Sequence, residues 1–212
     1  MRRGENPAVH RRLALTAALQ AFEAIQLRDA VYVACAVSSG RRELDLMVSL
    51  SLFDRDEIRC RHRDRWQREV LEPNKAAAAK SVDSARSRHA GRTVINPATF
   101  DIVGLTQPDY DALCARIVDA HVGHLVLADG WQYSRGARIE AVQAIDRGLG
   151  VEDGLGNRLD ADHIMTFIED VVPTLCRLGF PRAAAESLMP DVGPAVRPEP
   201  SAHSGHATAC IA

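Results

Sequence analysis

Two long apolar runs, each followed by a polar turn, constrain the fold of this chain more than any other feature. AVYVACAV at residues 30–37 and HLVLADG at residues 124–130 suit strands that are buried on both faces, as in a parallel sheet. The first run leads through SSGRR into the helical stretch ELDLMVSLSLF, and the second leads through WQYSRG into a helix from about Ser134 to Arg147. Alternating strands and helices predict an α/β fold with a doubly wound, flavodoxin- or Rossmann-like parallel sheet.

Weaker periodic patterns extend this alternation on either side. They predict a helix at 8–28, a strand at 93–98, a helix at 107–121, a strand near 149–152 and a late helix over 159–180 that is interrupted at Pro173. With 212 residues, 46% of them hydrophobic, the chain is long enough for one main domain. We therefore expect an N-terminal helix at 1–29, a domain at 30–189 with extra terminal helices, and a disordered tail at 190–212.

Residues 54–89 differ from the rest of the chain because they are densely charged and poor in apolar side chains. We interpret them as a charged helical insertion that is mostly solvated and is anchored to the domain by Trp66. The arginines of this segment leave two alternatives open, a nucleic-acid patch and an oligomerisation element. Nucleic acid is not the expected partner, because acidic residues lie among the arginines and cancel much of their field.

Composition and cysteine usage exclude several functional classes. A net charge of -2 gives no general attraction to nucleic acid or anionic membranes, and no apolar window is long enough to span a bilayer. The five cysteines are odd in number and widely spaced, which is typical of reduced thiols and predicts a cytoplasmic protein. The histidines and cysteines do not fall at metal-ligand spacing, so we expect no metal and no cofactor.

One acidic residue, Glu140, falls on the apolar face of the helix that follows the second run. Helical spacing places it beside the small residues Ala137, Ala141 and Ala144. A capping box does not explain this acid, because that arrangement requires it three residues after the cap, where Ala137 stands. Two interpretations remain open: Glu140 is catalytic, or it pairs with an arginine such as Arg41, Arg135 or Arg138.

The SSGRR turn is a candidate anion site. Ser38, Ser39 and Gly40 lie between a buried strand and a helix, where backbone N–H groups, hydroxyls and Arg41 can bind a phosphate. The turn is not a P-loop, because the Walker spacing and its lysine are absent. Ser134 begins the second helix in the same way. Because ligands of doubly wound sheets bind at the carboxyl ends of the strands, we predict that both turns face one anion.

The order of these motifs resembles a known group of enzymes. A VYVACAVSSGRR strand and loop, an INPA strand end, a HLVLADGW strand and the element S-x-G-A-x-x-E resemble the nucleoside 2-deoxyribosyltransferase-like superfamily. That superfamily includes nucleoside deoxyribosyltransferases, nucleoside 5'-monophosphate N-glycosidases and little-characterised bacterial and phage proteins, whose pattern is the most similar. The resemblance covers residues 30–151 apart from the charged insertion, and S-x-G-A-x-x-E is its most specific part.

The resemblance implies roles for several of these residues. It makes Glu140 the nucleophile at the anomeric carbon of the sugar. It makes Ser134, Gly136 and the loop from Ser38 to Arg41 the phosphate-binding elements, which favours a 5'-phosphorylated substrate. The aspartate that the superfamily carries on the preceding helix falls here on Arg116 or Cys114. Asp111 or Asp119 could serve in its place, and we assign the catalytic role to Asp111.

The base and sugar pocket is expected to include Ala36, Asn96, Trp131 and Tyr133. The two aromatic residues could stack on a nucleobase, although aromatic side chains at a strand end also commonly cap the core. We therefore expect a nucleotide N-glycosidase or a deoxyribosyltransferase-like enzyme that acts on a nucleoside or nucleoside 5'-monophosphate and forms a homo-oligomer. The alternative, which the displaced aspartate supports, is a nucleotide-binding or nucleotide-sensing protein with weak catalysis.

Overall fold

A four-stranded, all-parallel sheet forms the centre of the protein. The computed structural model describes residues 7–190 and Val192. The strands stand in the order β2-β1-β3-β4, with β1 at Ala30–Ala34, β2 at Val94–Ile95, β3 at Val122–Leu127 and β4 at Gly150–Asp153. The parallel sheet and its crossover helices confirm the predicted doubly wound α/β fold.

Helices cover both faces of the sheet. In the described part of the chain they are α1 Pro7–Ile25, α2 Arg41–Leu50, α3 Arg55–Arg61, α4 Arg63–Trp66, α5 Glu72–Arg88, α6 Gln107–His121, α7 Arg135–Asp146, α8 Ala161–Glu169, α9 Val171–Arg177 and α10 Arg182–Leu188. A π-helical turn, Gln67–Leu71, joins α4 to α5. Two short 3-10 turns, Pro97–Thr99 and Trp131–Tyr133, follow β2 and β3.

The alternation of side chains along the strands divides the core between the two faces of the sheet. On one face, Tyr32 and Leu125 belong to a buried cluster with Ile117 of α6 and Ala141 of α7. Partly buried side chains of α1, including Leu19, pack against the same cluster. This face therefore carries α1, α6 and α7.

The opposite face is covered by α5, the last of the helices between β1 and β2. Val33 and Val126 pack there with Ala78 and Val82 of α5. This helix forms the second half of the segment 54–89, which we expected to be mostly solvated. The structure differs because small residues recur along α5 at helical spacing and let the helix lie close to the sheet despite its many charges.

A separate apolar cluster holds the outer helices together. Met47 of α2, Ile58 of α3, Leu175 of α9 and Leu188 of α10 are buried in it, and Trp66 packs against it. Trp66 thus makes the anchoring contact expected for the charged segment.

The late helix predicted over 159–180 is divided into α8 and α9 at Asp170. Pro173 lies in the first turn of α9, where its missing N–H is tolerated. A continuous helix would need that N–H for a bond to the carbonyl of Glu169, so the break comes before the proline rather than at it.

The strand order creates a crevice at one edge of the sheet. The chain leaves β1 for β2 on one side and returns to β3 on the other, so the loops after β1 and β3 diverge at the carboxyl ends of these strands. In doubly wound sheets ligands bind at such a switch point.

Two further expectations concern the membrane and the chain end. Across residues 7–190 and 192, none of the helices combines the length and apolar character needed to cross a membrane. The tail predicted at 190–212 falls outside the described residues, apart from Pro190 and Val192.

Candidate active site

A cavity of about 320 Å³ opens at the switch point between β1 and β3. Its volume lies in the range of ligand-binding pockets. Its walls come from the loop after β1, the turn after β2, α6, the start of α7 and the charged segment. The residues that line it include Ser38, Ser39, Arg55, Arg59, Lys75, Gln107, Asp111, Cys114, Ser134, Arg135, Gly136 and Glu140.

Glu140 is a buried carboxyl group in the wall of this cavity. Only 6% of the residue is exposed, and its Oε1 accepts a hydrogen bond of 2.7 Å from the hydroxyl of Tyr32 on β1. Burial raises the pKa of Glu140 to about 8, the hydrogen bond from Tyr32 lowers it, and the charge of Asp111 raises it. Glu140 is therefore mostly protonated at neutral pH in the free protein.

Two of the three arginines considered as partners of Glu140 pair with aspartates instead. Arg41 forms a 2.8 Å ion pair with Asp45, and Arg135 pairs with Asp111. The side chains that contact Glu140 directly, Tyr32 and Cys114, are neutral, because burial raises the pKa of the Tyr32 hydroxyl and of the Cys114 thiol well above their usual values. These contacts leave its carboxyl group available for chemistry.

We expect Glu140→Gln to stabilise the protein, and to do so more strongly as the pH rises. The unfolded chain ionises this carboxyl near 4.5 and the folded protein near 8. The wild-type protein therefore loses stability as the pH rises between these values, whereas glutamine stays neutral. Thermal unfolding should give similar Tm values at about pH 4 and a Tm about 10–20 °C higher for the variant at about pH 9.

Glu186→Gln, at an exposed position on α10, is the matched control and should leave the pH profile of Tm unchanged. A Tm difference between Glu140→Gln and wild type that did not vary with pH would show that the carboxyl is not held protonated by burial.

The loop after β1 is held in place by Asn74 of α5. Its Nδ2 donates to the carbonyl oxygens of Val37 and Ser39 at 3.0 and 2.7 Å. Gly40 has a φ of 94°, and a Cβ on it would lie 2.5 Å from the Cβ of Ala36. Any other residue at position 40 would clash with Ala36 and strain the backbone, so only glycine fits this turn.

The two predicted anion-binding turns meet across the cavity. Ser39 Oγ lies 3.5 Å from Ser134 Oγ, so the turn before α2 and the turn before α7 face each other. Ser134 is the N-cap residue of α7, but its side chain makes no capping hydrogen bond. Its hydroxyl is therefore directed at Ser39, and Gly136, the second residue of α7, also lines the cavity.

Asp111 reaches the same cavity from α6. Its carboxylate pairs with Arg135, and its Oδ1 accepts a 2.9 Å hydrogen bond from Gln107. Asp119, the other aspartate considered, is exposed and lies 3.4 Å from Arg147 Nε. Of the two, Asp111 is the one that the fold brings to Glu140.

Six residues predicted for the site do not line the cavity: Ala36, Gly40, Arg41, Asn96, Trp131 and Tyr133. Arg41 points to Asp45 and lies over the ring of Tyr133 at 5.8 Å. Trp131 is 5% exposed and packs in the core, edge to face with Phe167. The side chain of Asn96 caps the 3-10 turn after β2 by accepting a hydrogen bond from Ala98. The core and turn contacts of Trp131 and Asn96 account for these residues structurally.

Sequence reasoning missed the cations that the charged segment contributes. Arg55 and Arg59 of α3 and Lys75 of α5 line the cavity. Arg59 donates to the carbonyl of Ser38 at 2.8 Å and pairs with the buried Glu43 of α2 at 2.9 Å. The available signal was the four-residue spacing of the two arginines, which places both on one helix face.

Similarity to known proteins covers part of the chain. Residues 72–153 match a family described as a domain of unknown function, DUF4406. No curated protein and no solved structure matches the chain. The matched region runs from α5 to β4 and contains Asp111, Ser134 and Glu140, so the chain is similar over this half of its site to a family whose function is not known.

Proposed function

We propose that this protein cleaves the N-glycosidic bond of nucleoside 5'-monophosphates, as a hydrolase or as a deoxyribosyltransferase-like enzyme. One observation carries the proposal: the buried carboxyl of Glu140 shares a cavity with the facing hydroxyls of Ser39 and Ser134. A nucleophile for the sugar and a polar cradle for its phosphate are the two parts that this reaction needs. The order of the sequence motifs, which resembles that of the nucleoside 2-deoxyribosyltransferase-like superfamily, also supports the proposal.

The proposed reaction has two steps. In the first, a Glu140 oxygen bonds to C1' of the sugar while the C1'–N bond breaks, and the base leaves with the bonding electrons and takes up a proton. In the second, water or another base attacks C1' and releases the carboxylate. The hydroxyl of Tyr32 holds the attacking carboxylate group in position through its 2.7 Å hydrogen bond.

The phosphate is proposed to lie between the two turns. Two hydroxyls, the start of α7 and the cations Arg59 and Lys75 border the space in front of Ser39 and Ser134. Positive groups and helix N-termini stabilise a dianion there. A free nucleoside would make no use of the two hydroxyls, the helix start and Lys75, so a phosphorylated substrate is favoured.

The test is a panel of purine and pyrimidine nucleosides and their 5'-monophosphates, with ribose and with deoxyribose, assayed for released base. We expect turnover of at least one monophosphate and little or none of its nucleoside. Ser134→Ala should reduce the preference for the phosphorylated form by about 10-fold or more, because a hydrogen bond to a charged group contributes ~1.5–3 kcal/mol. Equal turnover of nucleoside and monophosphate would argue against the phosphate site.

A second candidate function is nucleotide binding without efficient catalysis. The ion pair between Asp111 and Arg135 favours it, because Asp111 cannot give a proton to the leaving base unless Arg135 moves away. Tight binding of a monophosphate without release of base by the wild-type protein would select this alternative.

A further inference from the structure

Three side chains converge at a second place in the fold, away from the cavity. His124 lies on β3, Glu152 on β4, and His89 directly after α5. His89 Nε2 lies 3.0 Å from Glu152 Oε1, and His124 Nε2 lies 3.2 Å from Glu152 Oε2. One nitrogen or oxygen atom from each residue lies within 4.8 Å of the others. The fold thus brings together two imidazoles and a carboxylate on the face of the sheet that α5 covers.

We propose that His89, His124 and Glu152 bind a divalent transition-metal ion, with Zn²⁺ the best match. Two histidines and one glutamate form a ligand set that Zn²⁺ uses, with water in the fourth position. Tetrahedral bonds of ~2.0–2.2 Å place neighbouring ligand atoms ~3.3–3.6 Å apart. His124 Nε2 already lies 3.2 Å from Glu152 Oε2, and His89 Nε2 lies 3.0 Å from the other oxygen of the same carboxylate, so small side-chain movements admit the ion.

Arg88 determines which oxygen of Glu152 is free for the metal. Its Nε and Nη2 lie 3.0 and 2.8 Å from Oε1, which leaves Oε2, the oxygen beside His124, for the ion. A metal-bound carboxylate whose other oxygen is hydrogen-bonded is the usual outer-shell arrangement. The positive charge of Arg88 also repels a cation, so we expect weaker binding than in a site without it.

Gly150 positions the imidazole of His124. The two residues are paired across β3 and β4, and a Cβ on Gly150 would lie 2.6 Å from His124 Nδ1. The ring of His124 therefore lies directly over the backbone of β4, 4.6 Å from the ring of His89. Gly150→Ala should therefore move the imidazole of His124 while all three proposed ligands remain in the chain. This variant tests the geometry of the site.

The proposed ion ties the end of α5 to two strands of the sheet. It lies apart from Glu140, because none of its three ligands lines the cavity. Its effect is therefore stabilisation of the α5 face. An ion that binds the folded state alone raises stability with concentration.

The site is tested on the full chain without an affinity tag, in a background of His203→Ala and His206→Ala, because those two histidines near the C-terminus could bind metal by themselves. Isothermal titration with Zn²⁺ should give one ion per chain, with a rise in Tm. Co²⁺ should give the visible absorption of a four-coordinate site. His89→Gln, His124→Gln and Gly150→Ala should each weaken Zn²⁺ binding by about 10-fold or more.

His163→Gln is the matched control, since His163 is an exposed histidine that also contacts a carboxylate, that of Asp160. It should bind Zn²⁺ as the background protein does. The proposal is overturned if Zn²⁺ does not saturate at one ion per chain, or if His89→Gln binds as tightly as its parent. Should His124→Gln not fold, His89→Gln still decides, because His89 lies outside the strands.

Discussion

Glu140→Gln is expected to lower the rate of base release from a nucleoside 5'-monophosphate by at least about 10³-fold. Glutamine has nearly the same shape and keeps an oxygen that accepts the hydrogen bond from Tyr32, so the cavity is preserved. It cannot form the bond to C1', so the covalent step is lost. The Kd for the substrate should change by less than about 5-fold, because Ser39 and Ser134 are untouched.

The pH dependence gives this prediction a second readout. A nucleophilic carboxyl must be ionised, and burial raises the pKa of Glu140 to about 8. We therefore expect kcat/KM of the wild-type protein to rise with pH through about 8 and then level off. Kinetics across the pH range should show this rise in wild type and in the control Glu186→Gln. A profile that falls over the same range would show that the reactive form of Glu140 is the protonated one.

Glu43→Ala is expected to destabilise the fold by about 3 kcal/mol. The Glu43 side chain is fully buried and pairs with Arg55 and Arg59 at 2.9 Å each. Removing the carboxylate leaves two partly buried guanidinium groups without their anion, and both arginines line the cavity. Thermal unfolding should show a Tm lower by about 6–12 °C.

Glu57→Ala is the matched control for this loss. Glu57 lies on α3 and pairs with Arg61 at the surface, 2.7 Å away. Its removal should cost less than about 1 kcal/mol, because exposed ion pairs contribute little. Similar Tm values for the two variants would mean that Glu43 does not hold the charged segment to α2.

Most of the sheet and the central helices could be predicted from the sequence. Unbroken apolar runs marked β1 and β3, and periodic apolar residues after a proline marked α6 at Gln107–His121. The packing of α5 against the sheet could not be predicted from the sequence. Its buried face consists of small residues between charged ones, and such a face gives a weak periodic signal. The late helix breaks at Asp170, before Pro173, because the proline lacks the N–H that would bond to the carbonyl of Glu169. The sequence pattern showed that a break was needed but not at which residue it falls.

The candidate site was predictable where it follows a strand directly. Ser39 and Ser134 lie just before the helices that follow β1 and β3, and Glu140 lies on the second of these helices. Parallel strands bring such positions together. Tyr32 lies within an apolar run, where nothing in the sequence reveals that its hydroxyl meets Glu140. His89, His124 and Glu152 are far apart in the chain, so no spacing rule could have grouped them.

The cations that α3 and α5 contribute to the cavity bear on the charge of the substrate that would fit it. Arg59 is fixed by Glu43 and by the carbonyl of Ser38, so its charge lies beside the first anion-binding turn before any ligand arrives. Such preorganised charge favours an anionic substrate over a neutral nucleoside. The buried carboxylate of Glu43 therefore fixes the position of Arg59.

Glu140 is proposed to form a covalent bond to the sugar. The most direct measurement is mass spectrometry of the protein after rapid acid quenching during turnover of the best monophosphate from the panel, followed by peptide mapping. We predict a pentose phosphate attached to the peptide that contains Glu140, absent from Glu140→Gln. Turnover without any adduct, together with base release by Glu140→Gln at the wild-type rate, would contradict the assignment of Glu140 as the nucleophile.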